Sequence, residues 1–371
     1  MADIDTAALK DNFAAVAAHG GDEVALYFYS YLFLRYPETR DMFPPGMTRQ
    51  RDRLVGALVR IVTDVDNADK LVPYLEDLGR DHRKFGTLSA HYPAVGEALV
   101  TTLRHFSGPD WTDKLAADWA AAYGIIAGAM SGAAEKVAAT APAFWDADIL
   151  EVDHRTFDIA VLTARTETPV PYLAGQSLAV EPSDSRPREW RFFTPANPPG
   201  GVDIELHARL IPGGPVSTAL VRVAKRGDKL RLGPPFGRMT LDPASDRPVL
   251  MVAGSTGVAP MKAMIGQLAA TGRRAHLYFG ARSVREAYDQ DALIALDNRY
   301  SWLSVVTAIS DDTRWKGRQG LIGEVAADDG DWSEHDVYVC GSPAMVEATV
   351  KRLLAVGVLE ERVKFEEFGE A

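Results

Sequence analysis

Three groups of residues in this 371-residue chain carry types and spacings that could do chemistry. Leu71, Leu75, Leu78 and His82 recur at helical spacing, so the imidazole faces an apolar interior where a neutral nitrogen can ligate iron. A histidine so placed is more often a core residue than a ligand. Arg191-Phe192-Phe193-Thr194 falls in a stretch of short alternating runs, and its arginine offers the planar charged fork that suits phosphate. The third group, Gly254-Ser255-Thr256-Gly257-Val258-Ala259-Pro260, follows the apolar run Val249–Ala253 and precedes a helix expected from about Met261. A glycine turn there lets backbone N–H groups approach a pyrophosphate at the positive end of the helix, or simply supplies a positive φ. A second glycine turn, Cys340-Gly341-Ser342-Pro343, follows the last apolar run and favours the dinucleotide site. In this order the groups suggest a heme, a flavin and a nicotinamide along a line of electron transfer.

The elements around them differ in texture along the chain. Residues 1–138 are periodic as helices throughout: Leu9, Phe13, Val16 and Ala17; Val24, Phe28 and Leu32; Leu54 to Val65; Val95 to Phe106; Leu115 to Met130. Thr48 is the expected N-cap of the third of these. From about 144 to 245 short alternating runs are punctuated by Pro169, Gly175, Pro198 to Gly201 and Pro212 to Gly214, the pattern of an antiparallel barrel. Residues 246–371 return to apolar runs ending at Ala253, Phe279, Thr307 and Cys340 with helical patterns between, which predicts a doubly wound α/β domain.

Bulk properties narrow the classes further. A formal charge of −11 disfavours nucleic acid or an anionic membrane as the main partner, since both need a basic face. The single cysteine, Cys340, precludes an intramolecular disulfide and a cysteine-rich metal site, and fits a reducing compartment. The start, Met1-Ala2-Asp3-Ile4-Asp5, lacks a signal peptide pattern, and the longest apolar run, Ala120 to Met130, is short of a membrane span. A cytoplasmic monomer with no integral membrane contact is the expectation.

Ser255–Pro260, Cys340-Gly341 and Phe368-Gly369 resemble the loop, Cys-Gly and C-terminal aromatic of the ferredoxin reductase-like flavoproteins. Arg191–Thr194 is similar to their Arg-x-Tyr-Ser motif, Gly175-Gln176-Ser177 to their Pro-Gly-Gln-Tyr turn, and Gly213-Gly214-Pro215-Val216-Ser217 to their second pyrophosphate segment. Over its whole length the chain resembles the flavohemoglobins: an all-α globin, then an antiparallel β-barrel FAD domain, then an α/β doubly wound NAD(P)-binding domain. The resemblance implies heme b, FAD and NAD(P)H as cofactors and conversion of NO and O2 to nitrate. Other outcomes stay open: an NAD(P)H-flavin reductase serving another oxidation or acceptor, or an O2 or NO sensor.

Residue by residue, the resemblance makes His82 the proximal ligand, Tyr29 and Gln50 the distal hydrogen-bonding pair, and Phe43 and Leu54 heme-packing residues. Tyr92 and Glu135 stand for a proximal charge relay. Arg191, Phe192, Phe193, Thr194, Gly175, Gln176, Ser177, Val216, Ser217, Glu366 and Phe368 would hold FAD. Gly254 to Pro260, Arg282, Cys340 and Gly341 would hold the nicotinamide dinucleotide. Cys340 reads equally as a small buried hydrophobe, and Arg282 and Arg285 as surface arginines, so the choice of NADH or NADPH stays open. The departures are Asp81 where lysine is usual, and Phe193 and Ser177 where tyrosines are usual. They imply a divergent, actinobacterial-type subgroup.

Overall fold

The computed structural model describes residues 4–368, and Met1 to Asp3 and Gly369 to Ala371 lie outside the described residues. The chain divides into two compact units, Met1–Phe144 and Trp145–Ala371.

The first unit is helical: α1 (Thr6–Gly20), α2 (Asp22–Arg35), α3 (Thr48–Thr63), α4 (Ala68–His82), α5 (Tyr92–Ser107) and α6 (Asp113–Ala138). Side-chain oxygens of Asp5, Asn67 and Thr112 accept from backbone N–H groups in the first turns of α1, α4 and α6, satisfying donors that a helix start leaves unpaired. Thr48 does not cap α3 as expected. The preceding Met47 already has helical φ and ψ, so Thr48 is the first residue of the helix proper. The core gathers Leu9, Phe13, Phe28, Tyr29, Leu32, Leu99, Leu103 and Trp119. Helix α4 lies against α6 with Leu71, Leu75 and Met130 between them. Gly79 makes that approach possible: a Cβ there would sit 2.2 Å from the Met130 carbonyl oxygen. This close crossing fixes the end of α4, where His82 lies.

The second unit opens with the antiparallel strands β1 (Trp145–His154), β2 (Ile159–Thr166), β3 (Ser177–Glu181), β4 (Arg191–Phe193) and β5 (Asp203–Arg209). A four-residue helix, α7 (Pro215–Thr218), runs into a π turn before β6 (Lys229–Phe236). The sheet order is β4-β3-β6-β1-β2-β5. An antiparallel bridge from Pro195 to Leu206 brings the two edges together, so the sheet is nearly closed.

Beyond it come β7 (Val249–Gly254), α8 (Val258–Leu268), β8 (Ala275–Ala281), α9 (Gln290–Arg299), β9 (Leu303–Ile309), β10 (Arg318–Gln319), α10 (Ile322–Asp328), β11 (Asp336–Gly341), α11 (Pro343–Ala355) and β12 (Val363–Glu367). Their strands pair in parallel in the order β10-β9-β8-β7-β11-β12. Val249 to Ala253 are fully buried, as a strand covered on both faces must be. Helix α8 begins at Val258 rather than near Met261. Pro260 sits in its first turn, where no N–H is needed for the helical ladder. Among the described residues no helix is long and apolar enough to cross a membrane.

Candidate functional site

In the helical unit two constellations stand out. On α2, Tyr29 is buried, stacks on Phe33 and meets Phe43 edge-on with ring centroids 5.4 Å apart. Gln50 Nε2 donates to the Tyr29 hydroxyl at 3.1 Å, and that hydroxyl donates to the Gln50 carbonyl at 3.4 Å. Burial pushes the phenol up to about 12, against the opposing effect of the Gln50 bond, so it remains a proton donor. Phe43 and Leu54 pack on the same core. The expected distal residues are therefore together.

At the end of α4, the His82 ring bonds through Nδ1 to the Leu78 carbonyl at 2.8 Å. A carbonyl only accepts, so Nδ1 carries the proton and Nε2 is the nitrogen with a lone pair. Burial lowers the imidazole's proton affinity, with the Leu78 bond acting the other way, so the neutral form is favoured. Among the described residues no group of three or more His, Cys, Asp or Glu could hold a metal ion. A neutral imidazole with a lone pair on Nε2 could ligate a heme iron.

Among the described residues no hydrogen bond joins Tyr92 or Glu135 to His82. Glu135 is exposed and accepts from the Ser89 hydroxyl at 2.6 Å. Tyr92 packs beside Leu78 around Leu75 and Met130, and its carbonyl accepts from the Tyr123 hydroxyl at 2.7 Å. Asp81 instead pairs with Lys84, a buried cation with a side chain only 3% exposed. Lys84 was invisible in the sequence because nothing in its neighbourhood distinguishes it from a surface lysine.

In the barrel, Arg191, Phe192 and Phe193 form β4 and pair with Val180, Ala179 and Leu178 of β3. Arg191 is mostly buried, donates to the Trp190 carbonyl at 2.7 Å and lies 3.6 Å from Glu189. Phe192 is partly exposed and tilts against Phe236, whereas Phe193 is half-buried. Gly175 has φ +93°, and a Cβ there would lie 1.9 Å from the Met239 carbonyl oxygen. Gln176 fastens the same turn, accepting from the Leu173 N–H at 2.9 Å and donating to the Gly237 carbonyl at 3.2 Å. Val216 is buried, and the Ser217 hydroxyl accepts from the Ile211 N–H and donates to the Gly214 carbonyl. A mostly buried arginine and glycine-bound turns on one small barrel match what a flavin nucleotide requires.

Three expected residues far apart in sequence meet in one cluster. Ser177 donates to Glu366 at 2.5 Å and lies 2.8 Å from the Thr194 hydroxyl, which reaches the other Glu366 oxygen at 3.3 Å. Burial raises the Glu366 carboxyl above the usual range, and the Ser177 and Thr194 bonds oppose that rise. The serine that replaces the usual tyrosine thus has a hydrogen-bonding partner of its own.

The glycine turn lies between β7 and α8. Ser255 holds a positive φ of 53°, rare for a side-chain-bearing residue. A Cβ at Gly257 would sit 2.3 Å from the Cys340 carbonyl oxygen, so this glycine serves close approach to β11. Thr256 is half-buried and Val258, Ala259 and Pro260 are buried. Cys340 is fully buried, and burial, assisted by Glu366, pushes its thiol well above the ordinary value. Gly341 accepts from the Phe368 N–H at 2.7 Å, and Phe368 packs on the core beneath α8. Arg282 is mostly exposed and pairs with Glu286 at 3.1 Å. Gly369, part of the expected C-terminal motif, lies outside the described residues.

Comparison with known proteins adds to this geometry. The globin family model matches residues 26–130, and the oxidoreductase NAD-binding domain model matches residues 251–351. The flavohemoprotein of Bordetella parapertussis is 28% identical, covering 98% of this chain and 97% of its own. The crystal structure of a flavohemoglobin from Malassezia yamatoensis, with bound FAD and heme, covers 99% of both chains at 18% identity and TM-score 0.81. The FAD/NAD-binding domain of a nitric oxide dioxygenase from Vibrio cholerae covers 61% of this chain and 99% of its own, at 23% identity and TM-score 0.56. These two structures share the fold. A globin and an NAD-binding oxidoreductase domain thus follow in order on one chain, which is similar over nearly all of its length to flavohemoproteins.

Proposed function

We propose that the chain is a nitric oxide dioxygenase that converts NO and O2 to nitrate at a heme b reduced by NAD(P)H through FAD. The observation that carries this reading is the buried Tyr29 hydroxyl, held by Gln50 and kept protonated by its surroundings. A fixed donor of this kind stabilises negative charge as it develops on a small bound molecule. When bound, the three cofactors supply a two-electron donor, a carrier that splits the pair, and an iron that takes electrons singly. The balance is two NO, two O2 and one NAD(P)H giving two nitrate, NAD(P)+ and a proton.

The chain's own residues would divide the remaining work. His82 would ligate the iron through Nε2, oriented by the Leu78 carbonyl. Phe43 and Leu54 would exclude water from the distal side. Arg191 would take a flavin phosphate, with Gly175, Gln176, Val216 and Ser217 shaping the turns around it. Ser177, Thr194 and Glu366 would form the polar wall of the flavin pocket, and Phe192, Phe193 and Phe368 its apolar surfaces. The turn from Gly254 to Pro260, with Cys340, Gly341 and Arg282, would receive the dinucleotide. Domains of 1–138, 144–245 and 246–371, in a cytoplasmic monomer, belong to the same reading.

A second reading, an NAD(P)H-flavin reductase serving another acceptor, is favoured by Glu135 facing Ser89 instead of a proximal relay. One experiment separates the two. The purified protein is reduced anaerobically with NADH or NADPH, then NO is added to aerated enzyme, with visible spectra and nitrate analysis. Heme reduction through the flavin with catalytic nitrate supports the dioxygenase. Flavin bleaching without heme reduction or nitrate refutes it and leaves the reductase.

A further inference from the structure

Strand β5 carries Glu205, His207 and Arg209 at alternate positions, so all three project to one side of the barrel. Each meets a residue of the parallel-sheet half. Lys262, on α8, donates to Glu205 at 2.9 Å and pairs with the fully buried Asp289 at 2.8 Å. His207 lies 2.8 Å from Glu205 through Nε2 and 2.7 Å from the Tyr288 hydroxyl through Nδ1. A carboxylate accepts, so Nε2 carries the proton and the tyrosine hydroxyl donates to Nδ1. Arg209 donates to the Ser255 hydroxyl at 2.8 Å, in the glycine turn itself, and lies 3.8 Å from Glu286. Arg155, in the turn after β1, adds a contact to Asp289 at 3.4 Å.

The partners all follow the C-terminal ends of β7 and β8, the edge where an open α/β sheet binds its ligand. The mostly buried Lys262 lies between two carboxylates, Glu205 and the fully buried Asp289, and the partly exposed Arg155 adds a second cation beside Asp289. A buried ion pair adds little net stability over apolar packing, but it fixes registry, because its bonds are directional and loss of one partner strands the other. An apolar contact of the same area would tolerate sliding. Hydride transfer does not, since about 1 Å of misplacement can cost roughly 10²-fold in rate.

We propose that the stripe Glu205–His207–Arg209, closed by Lys262, Tyr288 and Ser255, is a clamp that holds the nicotinamide-binding turn in alignment with the flavin barrel, with Lys262 as its central positioning residue. It rests on the function proposed above, in which NAD(P)H reduces a flavin carried by the barrel.

The test uses purified full-length holoenzyme in anaerobic stopped flow, with NADH or NADPH, whichever the wild type oxidises, and its 4-deuterated form. Lys262→Met keeps the unbranched stem, one atom shorter, and removes the charge. It is expected to lower the limiting rate of flavin bleaching at least ~10-fold, a fraction of the misplacement cost. Flavin content, the dithionite-reduced spectrum and the half-saturating nucleotide concentration should stay within about twofold, with the isotope effect expressed at least as fully. Lys262→Arg should recover most of the rate, and Glu205→Gln combined with Lys262→Met should be no slower than the worse single variant, as members of one network are non-additive. A limiting rate equal to wild type in Lys262→Met, or a loss that merely tracks loss of flavin, overturns the clamp. If the wild type itself is not bleached by either nucleotide, the underlying donor reading falls, and the clamp's role in hydride transfer with it.

Discussion

Replacing Gly175 by alanine separates two costs that a turn glycine can hide. The first is conformational: a left-handed φ costs a side-chain-bearing residue about 1–2 kcal/mol. Gly213, at φ +72°, has no atom within 4 Å of where its Cβ would sit, so Gly213→Ala should show that cost alone. The second is steric and belongs to Gly175, whose added methyl would lie 1.9 Å from the Met239 carbonyl oxygen and 2.5 Å from Met264 Cε. The methionine methyl can swing away. The carbonyl can move only with its backbone, and overpacking of that sort adds about 1–3 kcal/mol. Gly175→Ala should therefore lose about 2–5 kcal/mol against about 1–2 for Gly213→Ala, read from urea midpoints of flavin fluorescence in the full-length protein. Because Gln176 and Ser177 follow directly, Gly175→Ala should also lower flavin content. Equal losses in the two variants would refute the steric argument.

Tyr29→Phe should retain heme while lowering NO consumption by about 10²-fold, the usual scale for removing one preorganised donor. Unchanged consumption would remove Tyr29 from the chemistry. His82→Ala should leave flavin bleaching by NAD(P)H intact and abolish heme turnover; full activity with retained heme would contradict the ligand assignment. Gly79→Ala improves helix propensity yet drives a methyl to 2.2 Å from the Met130 carbonyl, so the overlap should win by about 1–3 kcal/mol. The exposed Gly124→Ala, with nothing within 4 Å, should stabilise by about 0.5–1 kcal/mol in the same thermal unfolding assay. Burial works to raise the Glu205 carboxyl, but His207 and Lys262 outweigh it and hold it at about 2, below the ordinary 4.5. A depressed carboxyl stabilises the fold above 4.5 and loses that contribution as pH falls toward 2. Glu205→Gln should flatten this part of the stability profile, and an unchanged slope would show that other carboxylates set it.

Much of the fold was legible because apolar patterning is local. Val249 to Ala253 declare a strand buried on both faces, and Leu71 to Leu78 declare one face of α4. Strands β10 and β12 escaped notice: Arg318 and Gln319 make a two-residue edge, and Lys364, Glu366 and Glu367 break the apolar signature of the other. The site was legible where its residues sit within one turn, as at Gly254 to Gly257. Partnerships across long separations were not, such as Ser177 with Glu366, 189 positions apart. Lys262 was missed for another reason. Its pattern on α8 is that of a lysine reaching solvent, and only the fold delivers the two carboxylates that pay for burying it.

Burial of Cys340 gives the chain a built-in gauge of its own opening. It is the sole cysteine of the sequence, it is 0% exposed on the interior strand β11, between β7 and β12, and its thiol is held protonated. A maleimide or disulfide reagent can reach it only when the parallel sheet parts, so its modification rate in native buffer measures the free energy of that sub-global opening without any spectroscopic label. Nucleotide added at increasing concentration should slow the modification in proportion to how far it ties β7 to β11. The same inertness makes the unmodified chain a clean background, in which any cysteine introduced on the surface is the one that reacts.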